Sequence, residues 1–174
     1  MHLTMERARN LRLIVFDVDG VMTDGSLFLG DDGQEYKAFN SLDGHGLKML
    51  KETGVELAII TGRTSRVVEL RCANLGIAHL YQGCHDKLTP LKELLARLGI
   101  APEQAAFMGD DVVDLPPMRH CGMGFTVPHA PSLVKERAHY VTHTPAGRGA
   151  VREVCELVMQ AQGTYAAAVA PYLE

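Results

Sequence analysis

Short apolar runs alternate along this chain with segments in which apolar residues recur every three or four positions. The runs lie at 11–16, 55–60, 79–81 and 105–109, with shorter ones at 124–127 and 140–142. Runs this short and rich in branched residues are typical of strands covered on both faces. The helical spacing between and after them predicts helices at 43–51, 65–75, 88–98 and 115–119, from 132, and at 150–162. The alternation predicts an α/β fold with a Rossmann-like, doubly wound parallel sheet.

Two segments depart from the alternation. Residues 26–39 flank the turn Asp32-Gly33 with alternating apolar positions, which predicts a β-hairpin projecting beside the sheet. The tail at 163–174 is too apolar to be a solvated linker, and docking on a neighbouring chain is one explanation. We expect Asp43 to cap the first long helix and Gly54 to end it in a left-handed conformation. Gly76 is expected to close the helix at 65–75, and Asp86 to cap the one at 88–98.

Length and composition favour a single domain, residues 1–174, with one core. The 17 Lys and Arg residues against 21 Asp and Glu leave no basic footprint for nucleic acid. Four widely spaced cysteines without a CxxC pair argue against a zinc site or a disulfide framework. No run approaches the roughly 20 apolar residues that span a bilayer, and the first ten residues lack the apolar stretch of a signal peptide. We expect a soluble, cytoplasmic protein without a membrane partner.

Acidic and polar residues follow the predicted strands. Asp17 and Asp19 come directly after the first strand, where two carboxylates would repel unless a cation or a proton offsets them. The other strands are followed by Thr61, by Lys87, and by Asp110, Asp111 and Asp114. A parallel sheet gathers such groups along one edge. There the carboxylates can hold a metal ion, while the hydroxyl and the ammonium face a phosphate. The pattern indicates phosphoryl transfer with Mg²⁺.

These motifs resemble those of the haloacid dehalogenase superfamily over almost the whole chain. The order is that of its four motifs: Asp17-Val18-Asp19-Gly20, Ile60-Thr61-Gly62-Arg63, Lys87, and Gly109-Asp110-Asp111-x-x-Asp114. Lys37-Ala38-Phe39-Asn40 with Asp43-Gly44, and the segment 146–153, are similar in particular to phosphatases of 3-deoxy-D-manno-octulosonate 8-phosphate in lipopolysaccharide precursor synthesis.

The resemblance implies a role for each motif. Asp17 is expected to attack phosphorus and become an aspartyl phosphate, while Asp19 acts as general acid and then as general base. The carboxylates of Asp17 and Asp110 and the backbone carbonyl of Asp19 are expected to bind Mg²⁺. Thr61 and Lys87 would hold the phosphate. Asp111 and Asp114 would lie behind the metal ligands, and the substrate would also meet Gly62, Arg63, Arg71 and Arg148.

The arginines are candidates for the carboxylate of the sugar because a guanidinium binds a carboxylate through two parallel hydrogen bonds. The candidates are Arg63, Arg66, Arg71 and Arg148, and the resemblance favours Arg63 and Arg71. It also implies a homotetramer, since the chain has room for a hairpin but not for a cap domain. A neighbouring subunit, through its tail or its glycine segment, would then complete the site.

Other interpretations remain open at this stage. Each motif alone has an ordinary structural explanation as a turn, a helix cap or a solvated charge. Leu42 stands where the resemblance places a basic residue, which keeps open the 9-phosphate of a nonulosonic acid as substrate. A phospho-accepting receiver module uses similar residues in another order, and a catalytically silent assembly module is a third possibility.

Overall fold

A parallel sheet of six strands forms the centre of the protein, as the alternating pattern predicts. The computed structural model describes residues 2–173. Its strands are β1 Leu13–Phe16, β2 Phe28–Leu29, β3 Glu35–Tyr36, β4 Glu56–Ile60, β5 His79–Tyr81, β6 Ala105–Met108, β7 Met123–Thr126 and β8 Tyr140–Val141. The large sheet has the order β5-β4-β1-β6-β7-β8, and β2 and β3 pair separately.

Strand β1 pairs with β4 on one side and β6 on the other. Val15 lies opposite Ala58 of β4 and Phe107 of β6, and both pairings are parallel. All residues of β1 and β6 are buried because helices cover both faces of the sheet. The carboxyl ends of the three strands are therefore side by side, and the loops that follow them meet at one edge of the sheet.

The helices form two sets. They are α1 His2–Arg9, α2 Ser41–Glu52, α3 Arg66–Leu75, α4 Leu88–Leu98, α5 Leu115–His120, α6 Ser132–Arg137, α7 Ala150–Gln162 and α8 Tyr165–Val169. Helix α7 packs on α1 and α2, whereas α5 packs on α4 and α6. The chain runs outward from β1 to β5 and then returns past β1 to β6. Because parallel crossovers are right-handed, this reversal places the two sets on opposite faces, which confirms the doubly wound fold.

Asn40, and not the predicted Asp43, caps α2. The Asn40 side chain accepts from the backbone N–H groups of Leu42 and Asp43, at 2.9 and 3.4 Å. Asp43 lies within the first turn of the helix, is 2% exposed, and accepts the backbone N–H of Arg152 at 2.8 Å. The prediction was wrong because Asp43 caps the start of a distant helix, α7, which a local pattern does not reveal.

Other predicted helix ends are confirmed. Gly76 ends α3 in a left-handed conformation with φ of 68°, and Gly54 has φ of 94° after α2. Asp86 accepts from the backbone N–H of Leu88 at 2.9 Å and so caps α4. Helix α7 has the predicted bounds.

The hairpin forms where predicted, although its paired strands contain only two residues each. Phe28 lies opposite Tyr36, and Gly33 takes the positive φ of the turn, 80°. The tail was predicted to be apolar rather than solvated, and within this chain it folds back as α8 and a short 3₁₀ turn against α2. The Tyr172 ring lies edge-on to His45, at 5.4 Å between centroids.

Two further findings bear on the expectations from composition. Within residues 2–173, no helix combines the length and the apolar character needed to cross a membrane. All four cysteines are free thiols, and Cys72, Cys121 and Cys155 are buried as packing residues.

Candidate active site

A cavity of about 420 Å³ opens at the carboxyl ends of the central strands. Eight residues predicted for the site line it: Asp17, Asp19, Thr61, Gly62, Arg63, Lys87, Asp110 and Asp111. They are joined there by Gly20, Gly25, Leu27, Cys84, His85 and Val113. The fold thus brings together groups that are up to 94 positions apart in the sequence, from Asp17 to Asp111.

Lys87 lies at the floor of this cavity between two carboxylates. Its ammonium is 2.8 Å from Asp17 Oδ2 and 2.6 Å from Asp114 Oδ1, and its side chain is 3% exposed. Both carboxylates are buried as well, Asp114 completely. A buried ammonium is stabilised only where partners of opposite charge offset its desolvation, and these two partners raise the pKa of Lys87 despite its burial. Lys87 is therefore held as a fixed positive charge.

Asp114 lies behind the cavity and organises the loop after β6. Its Oδ1 accepts from Lys87, and its Oδ2 accepts the backbone N–H groups of Asp110 and Asp111, at 3.0 and 3.2 Å. Gly109 is needed here, since a Cβ at that position would collide with the Asp114 side chain. With both its oxygens engaged, Asp114 positions other groups rather than presenting its own carboxylate.

The carboxylates at the cavity floor carry a surplus of negative charge. Oxygens of Asp17, Asp110 and Asp114 lie within 4.8 Å of one another. Burial, and then the charge of Asp114, raises the pKa of Asp17 to about 6 although Lys87 opposes the shift. Burial, followed by the charges of Asp17, Asp114 and Asp111, raises the pKa of Asp110 to about 7. One lysine does not neutralise three carboxylates, so the site favours a further cation.

These residues fit a hard divalent cation. Asp17 and Asp110 line the cavity and offer carboxylate oxygens, the ligands that Mg²⁺ prefers, whereas Asp114 is completely buried behind it and its Oδ2 already accepts two backbone N–H groups. Gly20 has a φ of 82°, and a Cβ there would collide with Asp110 Oδ2. The glycine therefore allows the loop after β1 to approach the Asp110 carboxylate closely.

Asp19 lines the cavity and contacts the hairpin. Its Oδ1 is 2.5 Å from the ammonium of Lys37, and its Oδ2 is 3.8 Å from Nε of Arg63. The Asp19 side chain is 20% exposed, which leaves it accessible to a ligand. A carboxylate that lines the same cavity as Lys87 and is accessible is available to exchange a proton with a group bound there.

Thr61 presents a hydroxyl to the cavity. Its backbone N–H donates to Tyr81 and its carbonyl accepts from Cys84, both at 3.0 Å. These bonds fix the end of β4, and the hydroxyl is the polar group that remains for a ligand. Gly62 follows it in the wall.

Two of the predicted substrate residues lie outside this cavity. The Arg71 guanidinium stacks on the Phe39 ring at 5.5 Å and donates to the carbonyl of Asn40 at 3.2 Å. Arg148 is exposed beside the loop that contains Asp24, whose pKa it helps to lower after the larger effect of hydrogen bonds within that loop. Neither residue lines the cavity of its own chain, and their roles in binding the substrate stay predictions.

Sequence reasoning did not assign a role to Lys37 or Glu35, which contact the site from the hairpin. The available signal was the two-residue period of β3: Glu35 and Lys37 share one face, and Tyr36 points away. The structure bears this out, since the Lys37 side chain is 1% exposed and Tyr36 is 61% exposed.

Comparisons with known proteins agree with this geometry. Residues 73–154 match the model of the haloacid dehalogenase-like hydrolase family. A 3-deoxy-D-manno-octulosonate 8-phosphate phosphatase of Salmonella typhi is 51% identical over 159 residues, which is 91% of this chain and 85% of that protein.

Two crystal structures are similar over nearly the full length. A probable YrbI-family phosphatase from Pseudomonas syringae pv. phaseolica is 50% identical with a TM-score of 0.98, covering 100% of this chain and 99% of its own. The phosphatase from Moraxella catarrhalis, in complex with magnesium, phosphate and KDO, is 42% identical with a TM-score of 0.97, covering 99% of each chain. With these relatives, the chain belongs to the haloacid dehalogenase-like hydrolases and, within them, to the family of the 3-deoxy-D-manno-octulosonate 8-phosphate phosphatases.

Proposed function

We propose that this protein hydrolyses 3-deoxy-D-manno-octulosonate 8-phosphate to 3-deoxy-D-manno-octulosonate and inorganic phosphate, through an aspartyl phosphate on Asp17. The observation that carries the chemistry is the pair formed by Asp17 and the buried ammonium of Lys87, 2.8 Å apart at the cavity floor. The identity of the substrate is inferred from the relatives that share the fold.

In the first step, a carboxylate oxygen of Asp17 attacks phosphorus. The bond from phosphorus to the sugar oxygen breaks, its electron pair passes to that oxygen, and protonated Asp19 supplies the proton that completes the alcohol. Lys87 supports this step because it offsets charge on the phosphoryl oxygens without leaving its place. The Thr61 hydroxyl and the backbone that follows it donate to the same oxygens.

In the second step, Asp19 acts as a base. Its carboxylate takes a proton from water while the water oxygen attacks phosphorus, and the bond to Asp17 breaks with its electron pair returning to the carboxylate. Dividing one displacement into two lowers each barrier. The cycle returns Asp17 ionised and Asp19 protonated, ready for the next substrate.

Mg²⁺ is the proposed cofactor, held by the carboxylates of Asp17 and Asp110 and the backbone carbonyl of Asp19. When bound, it supplies positive charge that offsets the charge of the phosphate and allows both carboxylates to ionise together. Asp114 keeps Asp110 in place through the backbone N–H of that residue. Asp111 is exposed at the cavity rim, where its own carboxylate caps the 3₁₀ turn that follows.

A homotetramer is the proposed assembly. The hairpin exposes Leu27, Phe28, Leu29 and Tyr36, at 47, 52, 67 and 61%. A two-stranded hairpin with such a face is marginal in water unless other chains cover it. A neighbouring subunit would also explain how Arg71 or Arg148 could reach a sugar carboxylate, because neither enters the cavity of its own chain.

The substrate is tested by phosphate release in the presence of Mg²⁺ from a panel of sugar phosphates. We expect the octulosonate 8-phosphate to be hydrolysed with a higher kcat/KM than nonulosonate 9-phosphates and hexose phosphates. Preference for a nonulosonate would support the alternative that Leu42 suggested; that side chain is 57% exposed and does not line the cavity. Release from none of them would overturn the assignment.

The mechanism is tested with Asp17→Asn, which keeps the shape of the side chain and removes the nucleophile. We expect no turnover, no phosphoprotein in acid-quenched reactions, and an unchanged molar mass by light scattering. Unchanged turnover would exclude Asp17 as the nucleophile. A phosphoprotein without release of phosphate in the unmodified enzyme would instead favour the receiver-type interpretation.

A further inference from the structure

Lys37 is a buried lysine on an exposed hairpin. Its neighbour Tyr36 is 61% exposed, yet the Lys37 side chain is only 1% exposed. It points from the end of β3 toward the Asp19 carboxylate, with Nζ 2.5 Å from Oδ1, and it lies 3.2 Å from Glu35 Oε1. A lysine side chain loses conformational entropy and hydration when it is buried, so these contacts must offset a substantial cost.

Asp19 belongs to a closed ring of four side chains of alternating charge. Lys37 contacts Asp19 and Glu35, Arg63 lies 3.0 Å from Glu35, and the ring closes through the 3.8 Å approach of Arg63 to Asp19. We call this set the Asp19 ring. Although burial alone would raise the pKa of Glu35, hydrogen bonds from Lys37 and Arg63 hold it below its usual value. Glu35 therefore keeps the charge that anchors both cations.

The members of the ring differ in their access to substrate. Asp19 and Arg63 line the cavity, whereas Lys37 and Glu35 do not. Lys37 therefore does not touch the substrate itself, and its direct contact with a cavity residue is the one with Asp19. The ring also ties the hairpin to the loops after β1 and β4, since its members come from all three segments.

We propose that Lys37 is a positioning residue for the proton transfer at Asp19. Its ammonium fixes the rotamer of the Asp19 carboxylate, so that one oxygen is held toward the hairpin and the other faces the leaving group. This inference rests on the proposed function, in which Asp19 protonates the sugar oxygen. It adds that the hairpin, through Lys37, prepares the general acid before substrate arrives.

Leaving-group dependence separates this role from a merely structural one. A sugar alkoxide is a poor leaving group and needs the proton from Asp19, whereas p-nitrophenolate leaves without one. The ratio kcat/KM reports the steps up to release of the leaving group. Loss of acid catalysis therefore lowers kcat/KM for the sugar phosphate and largely spares it for p-nitrophenyl phosphate.

The variant is Lys37→Met, which keeps the length of the side chain and removes its charge. We expect kcat/KM for the octulosonate 8-phosphate to fall by roughly 10- to 100-fold, and for p-nitrophenyl phosphate by less than about threefold. Lys37→Arg should recover part of the loss. Lys48→Met, on the exposed face of α2, is the matched control for loss of one positive charge and should change neither ratio.

Asp19→Asn provides the reference for the proposed function. We expect it to show the same selective loss, larger than that of Lys37→Met, and the double variant to be no worse than Asp19→Asn alone. If Asp19→Asn shows no leaving-group dependence, the proposed acid is wrong. If it does and Lys37→Met loses both substrates equally, or neither, the positioning role of Lys37 is overturned while the mechanism stands.

Discussion

Removing the metal should make the stability of this protein fall as the pH rises from 5 to 8. In the metal-free protein, the pKa of Asp17 is raised to about 6 and that of Asp110 to about 7, from 3.8 in an unfolded chain. The folded state then binds more protons than the unfolded state over this range. Its free energy of unfolding therefore decreases with increasing pH, opposite to the usual behaviour of salt-bridged carboxylates.

The magnitude follows from the two pKa values. At pH 5, protonation of a carboxylate with a pKa of about 7 weakens binding of a cation by a factor of about 100. For a carboxylate with a pKa of about 6, the factor is about 10. Together they weaken Mg²⁺ binding by about 10³ relative to pH 8, or about 4 kcal/mol. The same difference is the stability that the metal-free protein should lose between pH 5 and 8.

Chemical denaturation at fixed protein concentration measures both quantities. The free energy of unfolding is obtained at pH 5 and pH 8, with a chelator and with saturating Mg²⁺. Groups that titrate in this range without sensing the cation cancel in the difference between the two conditions. We expect the increment from Mg²⁺ to be several kcal/mol larger at pH 8 than at pH 5.

Matched variants locate the effect in the site. Asp110→Asn should abolish the Mg²⁺ increment and most of the metal-free decline, whereas Asp31→Asn, at the exposed tip of the hairpin, should preserve both. An increment from Mg²⁺ that is equal at pH 5 and pH 8 would show that these carboxylates do not share a cation. A metal-free pH dependence that is the same in Asp110→Asn as in the unmodified protein would show that the pKa of Asp110 is not raised.

Three further outcomes are expected. In steady-state kinetics, Lys87→Met should lower kcat/KM by at least about 10²-fold. Lys87→Arg should not restore it, because a planar guanidinium does not reproduce the position of a compact ammonium held 2.8 and 2.6 Å from two carboxylates. Gly20→Ala should weaken Mg²⁺ binding, as measured by calorimetry, because the added Cβ collides with Asp110. Gly54→Ala, also at positive φ but with open space around it, should cost only about 1 kcal/mol of stability. Hydrogen bonds from Tyr140, His143 and Thr144 outweigh burial and hold the pKa of Glu153 at about 2. Glu153→Gln should therefore lower the free energy of unfolding by about 1–2 kcal/mol at pH 7. In denaturation experiments, the gap between the variant and the unmodified protein should shrink as the pH falls from 4.5 toward 2.

The centre of the sheet could be predicted because its inner strands are buried on both faces. Burial on both sides leaves a continuous apolar run, as in β1 and β6, and the acids that follow each run mark its carboxyl end. Helix ends set by local chemistry were equally accessible, as Gly76 and Asp86 show. Asp43 was not, since the N–H group that it binds belongs to Arg152, 109 positions away.

The candidate site was predictable to the extent that the backbone alone places a side chain. Asp17, Thr61 and Asp110 have short side chains that directly follow strands, so topology was enough to bring them to one cavity. Arginine has four rotatable bonds and finds its partners after folding. Arg63 reaches the cavity, whereas Arg71 stacks on Phe39 outside it, and the sequence does not distinguish the two.

The hairpin belongs both to the fold and to the candidate site. It comprises 14 residues, 26–39, whose exposed apolar face is the proposed contact with other subunits and whose opposite face carries Glu35 and Lys37 into the Asp19 ring. In the proposed homotetramer the hairpin covers the contact between subunits and also contacts the proposed general acid, so we expect assembly and activity to depend on each other. Phe28→Asp should therefore dissociate the oligomer, as measured by light scattering, and lower kcat for the sugar phosphate. Leu3→Asp, at an exposed position of α1, should do neither. A fully active Phe28→Asp monomer would separate the two roles and leave the Asp19 ring as a property of the single chain.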